Sequence, residues 1–171
     1  MNKLILIFAA ALAISCGNNK KEESSDIQIG TKVEETTPVA TETTDDAVAN
    51  VTITGNDQMK FNMSEIRVKA GQKVKLTLKH VGTMEKNVMG HNWALLTQDA
   101  DMAAVGQAAA EAASTDYIPA SFNDKIIVHT KMLGGGESDT IEFEAPAPGT
   151  YTFMCTFPGH YALMQGKFIV E

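Results

Sequence analysis

The sequence predicts an all-β domain, an antiparallel sandwich or barrel with one α-helix inserted between strands. Three observations predict it. From residue 51 to residue 171 apolar and polar residues alternate in short runs, turn-forming Gly, Pro, Asn and Asp separate the runs, and one alanine-rich segment interrupts them. Alternation with a period of two suits a half-buried strand, because successive side chains leave a strand on opposite faces.

VTITGN opens the series at Val51. KVKLTLKH is the clearest run, with Val74, Leu76, Leu78 and His80 on one parity and the lysines on the other. In HNWALL, His91, Trp93 and Leu95 fall in register. KIIVHT, DTIEFEA, TYTFMC and GKFIVE complete the set, so that Ile141 and Phe143 point together, as do Tyr151, Phe153 and Cys155, and Phe168 and Val170. Gly134-Gly135-Gly136 marks a turn, and strands at this spacing indicate a sandwich or barrel. The interruption, DADMAAVGQAAAEAAS, opens with acids and sets Met102, Val105 and Ala109 at helical spacing. It predicts one helix capped by Thr97 or Asp99, with Gly106 weakening its middle.

The residues ahead of this domain have a different character. MNK is a short basic start, LILIFAAALAI an apolar stretch of signal-peptide length, and SCG places a small residue before Cys16. The apolar stretch is too short to span a bilayer comfortably and reads as an export signal. Small residues followed by Cys resemble the lipobox of bacterial lipoproteins, in which the cysteine is lipidated and becomes the mature N-terminus. Ala13 stands where that pattern prefers Leu, and a soluble export signal cleaved nearby is the alternative. Residues 17–50 carry eight acidic residues against three lysines, a net charge of −5, and almost no large apolar side chains. Such a segment buries too little surface to offset the entropy of ordering and reads as a disordered linker with an r.m.s. span of roughly 30 Å. The chain's net charge of −7, with no Lys/Arg-rich run, argues against a nucleic-acid partner. The division expected is therefore a lipoprotein-type signal over 1–16, a linker over 17–50 and a folded domain over 51–171.

Cys16 and Cys155 are the two cysteines, and a disulfide between them is the simplest reading. If Cys16 is lipidated or removed, Cys155 is a lone thiol in an oxidising compartment, where a metal, a reactive role or deep burial must account for it. CTFPGHYALMQG places Cys155, His160 and Met164 on one loop, and His91 begins an inward-facing strand far earlier. Two imidazoles, a thiolate and a weak axial thioether are the donor set of blue-copper electron-transfer sites. Gly90 lacks a Cβ, which lets its carbonyl oxygen approach a metal from the side opposite Met164. Zinc on Cys and two His is an alternative, although thioether is a poor zinc ligand. A Cys–His nucleophile pair is another, although no orienting third group or oxyanion site is evident. The plainest alternative leaves Cys155 a buried small hydrophobe and Met164 core filler.

NVMGHNW at Asn87 to Trp93 and CTFPGHYALMQG resemble the two ligand segments of the azurins, bacterial blue-copper electron carriers with a cupredoxin-like Greek-key fold. GNDQMKFN and the VHTK at Val128 to Lys131 match as well, so the resemblance covers essentially all of residues 51–171. It implies one type 1 copper ion, with His91, Cys155 and His160 as strong equatorial ligands and Met164 and the Gly90 carbonyl as weak axial ones. It further implies that Asn92 hydrogen-bonds across to the loop of Cys155, and that electrons leave through the His160 ring edge. The docking surface it implies is an apolar patch of Met59, Met89, Phe157, Pro158 and Leu163, met by redox proteins such as c-type cytochromes or a copper/haem reductase. Azurins carry a histidine at the position of His80 whose protonation can couple to the copper; here a satisfied core histidine is the first reading, and His129 and Trp93 read as surface and core. The disulfide usual in azurins is absent, its positions falling at Ala49 and around Ala70-Gly71, a loss typically worth ~2–4 kcal/mol. The expected protein is thus a lipid-anchored periplasmic electron carrier, with no small-molecule substrate and no enzymatic activity. A lipoprotein that stores or delivers copper is the alternative.

Overall fold

The computed structural model describes residues 47–171. The expected signal segment, the lipidated Cys16 and most of the expected linker lie outside the described residues. The expected linker boundary at residue 50 is corrected, because strand β1 runs Val48–Asn56. Ala49 is buried and pairs with Val74, so the chain enters the sheet before the alternation becomes visible at Val51.

Two sheets face each other. One has the order β2-β1-β4-β7, built from β2 (Lys60–Phe61), β1, β4 (Lys73–His80) and β7 (Ser138–Glu144). The other has the order β3-β9-β8-β5-β6, from β3 (Glu65–Val68), β9 (Gln165–Val170), β8 (Gly149–Met154), β5 (Ala94–Leu96) and β6 (Ile126–His129). Most pairs are antiparallel, as expected, but β1 with β4 and β3 with β9 are parallel. The reason is topological: β3 crosses to the opposite sheet, so β4 returns beside β1 in the same direction.

The alternation expected in β4 is observed, with Val74, Leu76 and Leu78 fully buried and Lys73 paired to Glu142 on β7. Trp93 is core, its ring 5.7 Å from Phe153 and 6.1 Å from both Phe143 and Phe168. Burial of each such side chain contributes about 1.5–3 kcal/mol. HNWALL departs from alternation, because every residue from His91 to Leu96 is buried. The second face is covered by helix α2 (Met102–Ala109), whose Val105 packs with Leu96 and Met154.

The cap of α2 is Asp101, not Thr97 or Asp99: its carboxylate accepts from the N–H groups of Ala103 and Ala104. Thr97 and Asp99 instead bond each other, and Asp99 pairs with Lys125. Gly106 is required by packing, since a Cβ there would run into the Tyr161 ring. Near the missing family disulfide, Gln72 is buried and its side-chain oxygen accepts from the Lys69 N–H. Among the described residues no helix is long and apolar enough to cross a membrane.

Candidate metal centre

The two ligand segments meet at one end of the sandwich. A short helix α1 (Lys86–Met89) delivers Gly90 and His91 to an isolated bridge, in which His91 and Leu133 exchange both backbone hydrogen bonds at 3.0 and 2.8 Å. Cys155 follows the last residue of β8. Its N–H donates to the Met164 carbonyl at 2.9 Å, and that bond closes the loop between β8 and β9. Within the loop the N–H groups of Leu163 and Met164 donate to the His160 carbonyl, a tight turn that sends the imidazole back toward Cys155.

His91, Cys155 and His160 each offer a ligand atom, and the three atoms lie within 4.8 Å of one another. All three residues are buried. The Cys155 Sγ is 3.7 Å from His160 Nδ1 and 3.8 Å from the Gly90 carbonyl oxygen. Met164 is fully buried and packs in the same cluster as Cys155, Phe157 and Met132. All five expected ligand positions are therefore brought together. Gly90 admits no side chain, since a Cβ would lie 2.5 Å from the Lys86 carbonyl and 2.8 Å from the Phe157 ring.

The hydrogen bonds fix which nitrogens are free. His91 Nε2 lies 2.8 Å from the Asn56 carbonyl, which only accepts, so Nε2 carries the proton and Nδ1 keeps its lone pair. That Nδ1 is buried and makes no hydrogen bond. His80 stacks on His91 with ring centroids 4.3 Å apart, donates to the Met89 carbonyl and accepts from the Gly82 N–H. It is a satisfied core histidine, and His129 is exposed. Asn92 and Thr156 exchange two buried hydrogen bonds, of 2.7 and 2.8 Å, which tie the His91 segment to the Cys155 loop.

Burial sets the protonation states of the metal-free site. It pushes the Cys155 thiol up to about 11, against the pull of the Asn92 and Phe157 N–H groups. It holds His160 down at about 4, helped by the nearby His91 and His80 rings, and lowers His91 as well. A fully buried thiol with a raised pKa is a poor nucleophile, which argues against the Cys–His catalytic reading.

These residues fit copper. An unpartnered lone pair on a buried imidazole is costly unless something binds it, and a buried thiol beside it supplies the soft donor. A metal about 2.3 Å from sulfur and about 2.0 Å from nitrogen holds those atoms about 3.7 Å apart at a trigonal angle and about 3.5 Å at a tetrahedral one. The observed 3.7 Å is short enough for one ion to bind both atoms.

The apolar surface differs in detail from expectation. Phe157 is packed beneath the loop against Tyr117 and His160, whereas Leu163 is 62% exposed. Val81, Met84 and Val88 are also exposed. They were not evident in the sequence because Val81 and Met84 lie on an irregular stretch and Val88 on a four-residue helix too short to show a period. The Asn56 carbonyl was also missed, since a backbone acceptor leaves no residue-type signal.

A family model for copper binding proteins of the plastocyanin/azurin family matches residues 47–171. The azurin of Bordetella pertussis is 44% identical over 124 residues, covering 70% of this chain and 82% of that protein. Outer membrane protein H.8 of Neisseria gonorrhoeae is 43% identical over 119 residues, covering 68% of this chain and 64% of that protein. Among solved structures, auracyanin A, a "blue" copper protein from Chloroflexus aurantiacus, aligns with a TM-score of 0.65 at 34% identity, covering 72% of this chain and 99% of that one.

Proposed function

This chain belongs to the plastocyanin/azurin family of copper-binding proteins, and on that premise we propose that it is a one-electron carrier. His91, Cys155 and His160 hold one copper ion, with Met164 and the Gly90 carbonyl as weaker axial donors. The observation that carries the reading is the buried His91 Nδ1, left without a partner in the same cluster as the Cys155 thiol and the His160 imidazole. Copper supplies a Cu(I)/Cu(II) couple there, and thiolate with imidazole suits both states. The chain's own part is to keep the donors still. Asn56 locks the His91 ring, the Asn92–Thr156 bonds lock the two segments together, and the fully buried thiol excludes water. A site that hardly moves has a small reorganisation barrier. Five inward donors leave no open position for a substrate, which favours electron carriage over catalysis.

Electrons pass through the His160 edge to redox proteins such as c-type cytochromes or a copper/haem reductase. Those partners dock on the apolar surface that includes Leu163, and a transient complex needs only a small patch. We place the protein in the periplasm, anchored by a lipid on Cys16 with residues 17–46 as tether. The basic-apolar-Cys start of the sequence supports the anchor, as does the likeness to a protein named as an outer membrane protein. Copper-loaded protein, cycled between oxidised and reduced forms, tests the reading. Fast electron exchange between the two forms with full retention of copper is expected; release of copper to an acceptor protein on each reduction would make it a delivery protein instead.

A further inference from the structure

The stretch GNDQMKFN runs along the site without contributing a ligand, and its first residue faces two of the expected ligands. Gly55 is buried in β1. A Cβ built there would lie 2.8 Å from Cδ2 and 3.3 Å from Cγ of His91, and 3.2 Å from the Met164 methyl carbon. The first distance is closer than real Cβ contacts occur, so the strand backbone is already pressed against both side chains. The φ of Gly55 is not positive, so glycine is needed here for space and not for conformation.

Neither the strand nor the His91 ring has slack. The strand is held by its parallel pairing, which sets Gly55 beside His80, by its pairing with Phe61, and by the Val81 N–H donating to the Gly55 carbonyl at 2.8 Å. The His91 ring is stacked on His80 and bonded through Nε2 to Asn56, the residue after Gly55. Asp57 then ties this corner down, its carboxylate accepting from the N–H groups of Thr83 and Met84.

We infer that Gly55 is a positioning residue: its missing side chain lets β1 act as a wall that sets how close the His91 ring and the Met164 thioether stand to each other. The inference rests on the ligand assignment above. An added methyl group has two outlets. Either the Met164 methyl swings away, or the His91 ring turns and strains its bond to Asn56. Both change the donor geometry without touching a ligand's identity.

The full chain carrying Gly55→Ala is compared with the wild type and with Thr54→Ala, a neighbour on the opposite face of the same strand. Gly55→Ala is expected to weaken Cu(II) binding by about tenfold or more and to alter the thiolate–copper absorption and EPR pattern, while Thr54→Ala leaves both unchanged. A Gly55→Ala protein with wild-type spectrum and affinity overturns the inference while the ligand assignment stands. A wild type with no thiolate–copper band overturns both. A further measurement needs no variant: in the diamagnetic Cu(I)-loaded wild type, nuclear Overhauser contacts are expected from the Gly55 α protons to the Met164 methyl group and to the His91 ring proton on Cδ2. Their absence overturns the inference even if Gly55→Ala does not fold.

Discussion

Adding Cu(II) to the metal-free protein at pH 7 is expected to release one proton, and that proton comes from Cys155. The thiol is pushed up to about 11 by burial, so at pH 7 it is fully protonated. Each pKa unit is worth about 1.36 kcal/mol, so ionising it at pH 7 costs about 5 kcal/mol that the copper–thiolate bond must exceed. The imidazoles release nothing, because His160 is held down at about 4 and His91 is also lowered. The apparent affinity should therefore rise tenfold per pH unit from neutral pH toward about 10. Below about pH 5 the slope steepens toward two protons as His160 begins to hold one. Calorimetric titration in buffers of different ionisation heat at one pH gives the proton count directly. A count near zero at pH 7 would mean the metal-free thiol is already ionised, and a count of two would mean an imidazole is charged. Either result refutes the picture of a dry, neutral pre-formed site.

The same shifts give the metal-free protein a stability window. His160 titrates lower when folded than when unfolded, so its contribution is complete above about pH 6.5 and lost as pH falls toward 4; the raised Cys155 contributes below about pH 9 and loses stability as pH rises toward 11. Each limb is worth about 3 kcal/mol, readable from urea midpoints across pH. Asn92→Ala removes both bonds to Thr156 and leaves that residue's buried N–H unsatisfied, so unfolding titrations should show a loss of about 2–4 kcal/mol with or without copper. Gly90→Ala forces a methyl group onto the Lys86 carbonyl and the Phe157 ring, and thermal unfolding should show at least about 1–3 kcal/mol of destabilisation together with an altered copper spectrum.

Much of this was legible before any coordinates, and the reason differs by feature. The strands of the first sheet announce themselves because one face of Val74, Leu76 and Leu78 is buried and the other meets water. Residues 91–96 do not alternate, because α2 covers the face that solvent covers elsewhere, and periodicity cannot report a second buried face. The ligand set was legible because it is written in residue types: Cys155, His160 and Met164 on one loop, and His91 at a distance. What was not legible is whatever works through backbone or through absence. The Asn56 carbonyl selects the His91 tautomer, and the empty space at Gly55 sets its position, yet neither leaves a chemical signature in the sequence. The parallel pairing of β1 with β4 was hidden for a similar reason: strand direction depends on where β3 goes, not on the pattern within β1 or β4.

The whole reading rests on a bond between Cys155 and copper. The full chain, stripped of metal and titrated with Cu(II), should develop an intense visible thiolate-to-copper absorption that saturates at one ion per chain, with an EPR spectrum of narrow copper hyperfine splitting, and Cys155→Ser should abolish the absorption. A colourless titration of zinc-free wild-type protein, or an absorption that survives Cys155→Ser, would contradict it.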